Sequence, residues 1–424
     1  MKSLSIAILS LLAAAVLDAQ GSKLIEVKSA DVLNVRTIAG QEVRELIGHV
    51  HIIQSSPGEL VKIWCDSALR YMETNKIELF GDVKLVRDSV TLTSSEGVYY
   101  GDERKAEMSK GVRLIRGGSI LTSKFGEYFA DEKRAHFTGD VHVIDSASST
   151  WSDALTYFET EEKSIAVGHV RVHQAENNLT VFGDSLIYFE KQKYGVLPRH
   201  PKMVQVDTTA GGVLDTMLVT SDQMETYQDS LPRFIARGEV AIVRTDLAAI
   251  CKEATYFLKR DRIVLRGDPV VWHSENQLSG DSVVITTTGR KLQSVFVGGR
   301  AVAVSRADSL LRQRYDQLTA REMTMFFAGG KITRIDAEQT ATSLYYLFDE
   351  GEPNGANRSS GDRIVMEFQD GKIDQIKIVG GVEGKYFPET MIAGREPEYN
   401  LDGFRWITSR PTRKDLKIVF AQRE

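Results

Sequence analysis

The side chains of this 424-residue chain that could do chemistry are few and scattered: eight histidines, two cysteines and a set of recurring Gly-Asp pairs. His49-Val-His51 and His169-Val-Arg-Val-His173 put two imidazoles on one strand face, a spacing that could suit a metal ion. On the solvated side of a strand the same spacing is ordinary surface, and that is the preferred reading. The Gly-Asp pairs fall at 81–82, 139–140, 183–184, 267–268, 280–281 and 361–362. Calcium-binding β-helix repeats use a tighter period of about nine residues with several acids per turn. Here the acid comes about once per strand, so the pairs read as solvated bend residues. No phosphate loop, nucleophile elbow, His-Glu-x-x-His or Cys-x-x-Cys is written in the chain. A carbohydrate-active β-solenoid would need clustered carboxylates, and these are spread out. The expectation is a protein with no catalytic residues, no metal and no cofactor.

The elements that carry these residues repeat. A phrase apolar-x-apolar-x-Gly-acidic-Val-x-apolar runs Ile77 to Leu85 and again Ala135 to Val143, and returns at Gly48, Gly168, Gly238 and Gly267. Glycines 81, 139 and 168 lie on a 29-residue grid, with Lys110 in the glycine's place in a degenerate copy. A second phrase lies between the first ones, as in Ser95-Glu-Gly97-Val-Tyr-Tyr100 and Asp153-Ala-Leu155-Thr-Tyr-Phe158; its aromatics at 71, 100, 129 and 158 keep the same step. Self-similarity of this kind marks a repeat architecture. The longer step from Gly168 to Gly238 coincides with the Pro- and Gly-bearing stretch 198–212, expected as a surface loop.

Each phrase reads as a strand. Ile77, Leu79, Val83 and Leu85 alternate with Glu78, Asp82 and Lys84, sending one face to an apolar interior and the other to water. Phe137, Val141 and Val143 repeat the pattern, as do Phe234, Val240 and Ile242. These ten residues are the candidate lining of the interior, acting as a set. The glycine shares their parity and marks a bend, a bulge or a close approach to the backbone. Helical periodicity is confined to 308–317, where a short helix is expected. Two strands per copy and roughly ten copies predict an elongated all-β body. If each copy adds one strand per sheet, the rise is about 4.8 Å per copy. Cys65 and Cys251, six copies apart, then lie about 29 Å from each other and stay free thiols.

Composition sets further bounds. With 42% hydrophobic residues, 26% charged residues and a formal charge of −5, the chain has material for a core and no basic stripe for nucleic acid. Residues 1–19 read as a secretory signal: Lys2, an apolar run Leu4 to Leu17, and Ala19 before the cut. An N-terminal membrane anchor is the competing reading, and the run is short for a span. The mature chain is expected to be exported and soluble.

The phrase Leu-Thr-Ser/Ala-x-x-Ala/Gly-x-Tyr-Phe followed by Lys/Arg-x-Ala/Ile-x-Leu/Phe-x-Gly-Asp-Val, in phase from about Lys23 to Val382, resembles the organic-solvent-tolerance-protein-A (OstA-like, LptA-like) family. That family takes in the periplasmic lipopolysaccharide-transport protein A and the N-terminal domain of the outer-membrane translocon D. The resemblance implies a taco-like β-jellyroll over 23–386, built from roughly ten two-strand units of about 29 residues, whose apolar groove holds acyl chains. It also implies lipopolysaccharide or another multi-acyl lipid as ligand, edge-to-edge contact with similar β-jellyrolls or with itself, and a periplasmic location with outer-membrane association as a variant. The greater length and a non-repeating tail, 387–424, depart from the short bridge proteins.

The expected function is therefore a lipid-binding component of lipopolysaccharide transport. Its competitor is a structural or adhesive surface protein with a closed, dry core; alternation alone does not separate the two.

Overall fold

A computed structural model describes residues 24–56, 59–87, 90–208, 214–245, 247–289, 291–308, 311–370 and 372–416. The expected signal segment 1–19 lies outside the described residues. Almost everything described is antiparallel strand; one α-turn, Glu389–Ile392, and one 3-10 turn, Glu396–Tyr399, are the helical elements among the described residues. The fold class is all-β, as the two-residue alternation requires. The chain forms two compact units, residues 1–201 with 227–229, and residues 202–226 with 230–424.

In the first unit the strands follow one another as a meander. The strand Lys76–Arg87 pairs with Glu59–Tyr71 on one side and Val90–Tyr100 on the other, and the pattern continues through Arg134–Ile144, Ser148–Phe158, Lys163–Gln174 and Leu179–Phe189. Every second strand carries a bulge at its midpoint. In Lys76–Arg87 the register slips between Phe80 and Val83, where Gly81 and Asp82 both adopt positive φ (72° and 39°). The same slip recurs at Gly139-Asp140 and Gly168-His169. In the degenerate copy the two positive-φ residues are Lys110 and Gly111, and there the strand is interrupted, Lys105–Ser109 and Val112–Arg116.

The bulges line up, so the sheet folds along them. Residues before each bulge (76–80) and after it (83–87) belong to two limbs, called left and right below. The right limb of one strand runs into the right limb of the next, 83–87 against 90–94. Leu85, Leu92 and Leu114 of the right limb share one buried cluster with Met108, Phe137 and Leu155 of the left. The two limbs therefore pack face to face, a taco closed on its own side chains.

Three expectations are corrected by this arrangement. Each 29-residue copy adds two strands to each limb, so the rise per copy in the first unit is about 9.6 Å, twice the anticipated value. The stretch expected as a loop at 198–212 contributes the strand Lys202–Thr208, paired with Leu214–Thr220; residues 209–213 lie outside the described residues. The helix expected at 308–317 does not form: 312–313 make a turn and Tyr315–Ala328 is a strand, with 309–310 outside the described residues.

The second unit uses the same device. Bulges at Gly238-Glu239, Gly299-Arg300 and Gln339-Thr340 interrupt the register of Arg233–Val243, Lys291–Arg306 and Lys331–Asp349.

Candidate functional site: the interior between the limbs

The burial pattern gives the inward positions directly. On the bulged strand Lys76–Arg87, Leu79, Val83 and Leu85 are buried and Ile77 is half-buried against them. Phe137, Val141 and Val143 are buried in the large cluster of the first unit, Val141 with 1% of its surface exposed. Phe234, Val240 and Ile242 are buried in the second unit, and Phe234 and Ile242 wall a small apolar gap with Met203, Met217 and Met224. All ten candidate lining residues thus belong to the interiors of their units.

The plain strands between behave differently. In Val90–Tyr100 the inward positions are 90, 92 and 94, then 97 and 99: the phase shifts by one residue at the fold. Ser148–Phe158 and Leu247–Phe257 shift in the same place. The last inward position before the shift lies at the inner crease, where the limbs meet and only a small side chain fits. Cys65, Ser94, Ser123, Ser152, Ser221 and Cys251 all occupy it and are all buried. The Ser94, Ser123 and Ser221 hydroxyls each donate to the carbonyl two residues on, at 2.9, 3.0 and 2.9 Å, which pins the bend. The two cysteines are therefore free, buried members of a serine column. Burial pushes the Cys65 thiol up to about 11 and the Cys251 thiol up to about 12, so both stay protonated at neutral pH.

The residue after the crease points outward and abuts the bulge glycine of the next strand: Asp66 against Gly81, Asp153 against Gly168, Asp222 against Gly238. The glycine's missing side chain thus faces the exposed ridge, not the apolar interior that strand parity assigned to it. The six Gly-Asp pairs are of two kinds. In 81–82, 139–140 and 267–268 both residues form the bulge; in 183–184, 280–281 and 361–362 the glycine sits in the crease column and the aspartate is the ridge residue, Asp281 and Asp362 abutting Gly299 and Gly380. The histidine pairs likewise part company. His49 and His169 are bulge residues bonded to ridge carboxylates of Asp31 (2.8 Å) and Asp153 (2.7 Å), whereas His51 stacks on Trp64 and His173 meets Thr180. Among the described residues no three His, Cys, Asp or Glu side chains gather as a metal would need.

The repeating aromatics also resolve into two rows. Tyr71, Tyr100, Phe129 and Phe158 lie on the outer face under cations, with Arg134 4.1 Å and Lys105 5.2 Å from the Phe129 centroid and Lys163 4.8 Å from that of Phe158. Tyr128 and Tyr157, immediately before Phe129 and Phe158, and Tyr188, immediately before Phe189, are buried between the limbs.

The second unit departs from this plan toward its C-terminal end. There the right limb reverses its polarity. Trp272, Leu344 and Tyr346 face outward, where residues 387–407 cover them: Ile407 packs against the Trp272 cluster, and Phe387, Ile392 and Leu401 against Leu344 and Tyr346. Two buried glutamines fasten this strap. Gln277 donates to the Arg405 carbonyl (2.7 Å) and accepts from the Ile407 N–H (2.8 Å), while Gln317 accepts from the Leu401 N–H (2.8 Å). Buried Arg314 donates to Glu389 (2.5 and 3.0 Å) and to Glu396 (3.3 Å).

With Trp272, Leu344 and Tyr346 turned outward, the right limb presents His273, Asn276, Ser305, Asp316 and Ser343 to the interior, together with Ala303 and Leu318. The left limb opposes them with Met325, Ile335, Met366, Phe368 and Ile373. Between the two walls is a cavity of about 720 Å³, within the range of sites for small organic ligands.

Two family models match the chain in tandem. One, described as OstA-like protein, covers residues 22–128; the other, described as LptA/(LptD N-terminal domain) LPS transport protein, covers residues 150–291. The chain belongs to the OstA/LptA-like family. A solved structure similar to this OstA/LptA-like chain is LptH from Pseudomonas aeruginosa, titled the LptA homologous periplasmic component of the conserved lipopolysaccharide transport device. It is 17% identical, with a TM-score of 0.26 over 34% of this chain and 95% of that one. No curated protein matches the chain.

The two-residue alternation in the sequence of this OstA/LptA-like chain identifies the inward-facing residues of the bulged strands and misses three features. The crease column was signalled by Cys/Ser recurring before each ridge residue. The inward tyrosines were signalled by the aromatic doublets at 128–129, 157–158 and 188–189. The reversed limb carries no sequence period of its own. Among the described residues no helix is long and apolar enough to cross a membrane.

Proposed function

We propose that this protein is a periplasmic component of lipopolysaccharide transport that holds acyl chains between its limbs and acts by binding rather than catalysis. The observation that carries the reading is the apolar interior running from strand to strand within each unit, which in the second unit widens into a cavity with one apolar wall. Burying methylenes there is worth about 0.8 kcal/mol each, so a multi-acyl lipid gains in proportion to the length it inserts. The family model that matches residues 150–291 describes lipopolysaccharide-transport proteins, which supports the ligand class, and the leader-like residues 1–19 support export. The outermost strands support edge-to-edge partnering with similar β-jellyrolls or with itself. Val32–Ile38 carries exposed Val32, Leu33 and Val35, and Lys372–Val379 carries exposed Ile376 and Val379.

The structural, ligand-free reading has its own support in the first unit. Its interior is filled, Phe137 and Val141 being almost wholly covered by neighbouring side chains. Loading that unit requires the limbs to part. Native mass spectrometry with lipid extraction, on protein purified from its own periplasm, separates the two readings. A bound multi-acyl lipid, with photo-crosslinks from a probe at Val141 or Ile335, is the expected result. A clean apo mass that persists when lipopolysaccharide is offered would replace the transport reading with a dry-core structural protein.

A further inference from the structure

The cavity at the C-terminal end of the second unit has different chemistry on its two walls, and the polar side chains are concentrated on one of them. The left-limb wall is hydrocarbon and thioether, with no charged group among Met325, Ile335, Met366, Phe368 and Ile373. The right-limb wall is mixed, with His273, Asn276, Ser305, Asp316 and Ser343 set among Ala303, Leu318 and Tyr345, and its one acid is Asp316. Asp316 is half-buried; it accepts a hydrogen bond from the Tyr346 N–H at 2.9 Å. A carboxylate in this position is costly unless something donates to it. Two cations lie at the rim and are engaged elsewhere: Lys331 meets Asp370 at 3.5 Å, and Arg306 lies over the Trp406 ring. The arrangement persists because the strap absorbs Trp272, Leu344 and Tyr346 on the outside, leaving the polar residues to face in.

We propose that this cavity is a head-group-selective lipid site, in which Met325, Ile335, Met366 and Phe368 take an acyl chain while Asp316, with Ser305 opposite it and Asn276 on the strand beyond, accepts hydrogen bonds from a hydroxyl, amide or ammonium at the chain's polar end. The site discriminates against a chain that ends in a carboxylate or phosphate, since that group would meet a second anion in a poorly solvated space. This rests on the reading of the interior as acyl-binding, and it adds which end of the lipid the second unit recognises.

The test uses the full chain and three probes of equal chain length below their micelle concentrations: dodecylamine, dodecanol and dodecanoate. Dissociation constants are measured at pH 8 by calorimetry. Dodecylamine is expected to bind about tenfold or more tightly than dodecanoate, with dodecanol between them. Asp316→Asn keeps the size of the side chain and its acceptor for the Tyr346 N–H; it is expected to bring the amine-to-carboxylate ratio to within about twofold of unity. A photoactivatable dodecylamine is expected to label Met325 or Met366. Equal affinities in the wild type, an undiminished preference in Asp316→Asn, or labelling confined to the first unit each overturn the site. If the probes bind without head preference, this inference fails and the acyl-binding function stands; if none of the three binds, and lipopolysaccharide does not either, both fall.

Discussion

A Cβ built on Gly81 would occupy the space of the Asp66 carboxylate, on the neighbouring strand across the ridge of the fold. The glycine is required twice over, by a φ of +72° and by this close approach. Gly81→Ala is expected to cost about 1–3 kcal/mol. Gly40 isolates the first requirement: its φ is +85° and no atom lies within 4 Å of where an alanine methyl would stand, so Gly40→Ala should lose only about 1 kcal/mol. Adding Asp66→Ala to Gly81→Ala should recover part of the loss, read as a shift in the urea midpoint. No recovery would remove the steric role given to Asp66.

The crease predicts how the cysteines behave. Cys65 and Cys251 occupy a serine column and are held as buried, protonated thiols. Alkylation by iodoacetamide at pH 8 should be slow in the folded protein and fast in urea. Cys65→Ser is expected to change stability by less than about 1 kcal/mol, whereas Cys65→Leu, overfilling the bend, should cost about 1–3 kcal/mol. Rapid native alkylation would place the thiols outside the crease.

Legibility in the sequence followed strand type. On bulged strands the extra residue restores an even count, so Leu79 and Val83 face the same interior and simple alternation names both. On plain strands Ser94 and Gly97 are both inward although three positions apart, and alternation fails at the fold. Gly81-Asp82 and Gly280-Asp281 are the same dipeptide in different places, because only the neighbouring strand decides whether the glycine forms the bulge or the crease. The strap was opaque for a different reason. Gln277 and Arg405 are far apart in sequence, and a bond between a side-chain amide and a distant carbonyl leaves no period.

Arg314 is the charged anchor of the strap. Arg314→Ala leaves Glu396 buried without its cation and should cost about 3–5 kcal/mol, seen as faster hydrogen exchange over residues 388–407. The Arg314 guanidinium holds the Glu389 carboxyl below its usual range. A depressed carboxyl stabilises the folded state above its unfolded value, about 4.3, and that contribution is lost as pH falls through the folded value. Acidification below about pH 4 should therefore loosen the strap and change the fluorescence of Trp406, whose ring packs at a tilt against Tyr315. Unchanged exchange in Arg314→Ala would assign the strap's hold to its apolar contacts alone.

Val141 and His142 are adjacent and face opposite ways, Val141 into the cluster and His142 onto the Trp151 ring at 4.5 Å. Val141→Asp is expected to lose lipid loading and several kcal/mol of stability, about 3 or more. His142→Asp should lose about 1 kcal/mol and keep its loading. Since a destabilised protein could fail to load for trivial reasons, loading is compared at a temperature where circular dichroism finds both variants folded. Equal loading there would detach Val141 from the lipid path.

Asp316 makes a prediction of opposite sign to the strap's. Burial pushes its folded carboxyl up to about 7, while the unfolded value is about 3.9. Between those values the folded state binds the proton more tightly, so the contribution of Asp316 to stability is fully present below about pH 4 and declines as pH rises to about 7. The groups facing it are His273 and Tyr345 on the cavity wall, with Lys331 and Arg306 at the rim. Asp316→Asn removes the titration and keeps the bond to the Tyr346 N–H. The variant should therefore gain on the wild type as pH rises, by on the order of 1–2 kcal/mol at pH 8 and little at pH 4.5. Thermal unfolding at the two pH values measures this, with the second unit's transition followed through Trp272 and Trp406. A difference in melting temperature that stays constant between them would mean Asp316 is ionised and solvated throughout, and would take with it the poorly solvated wall on which head-group selection depends.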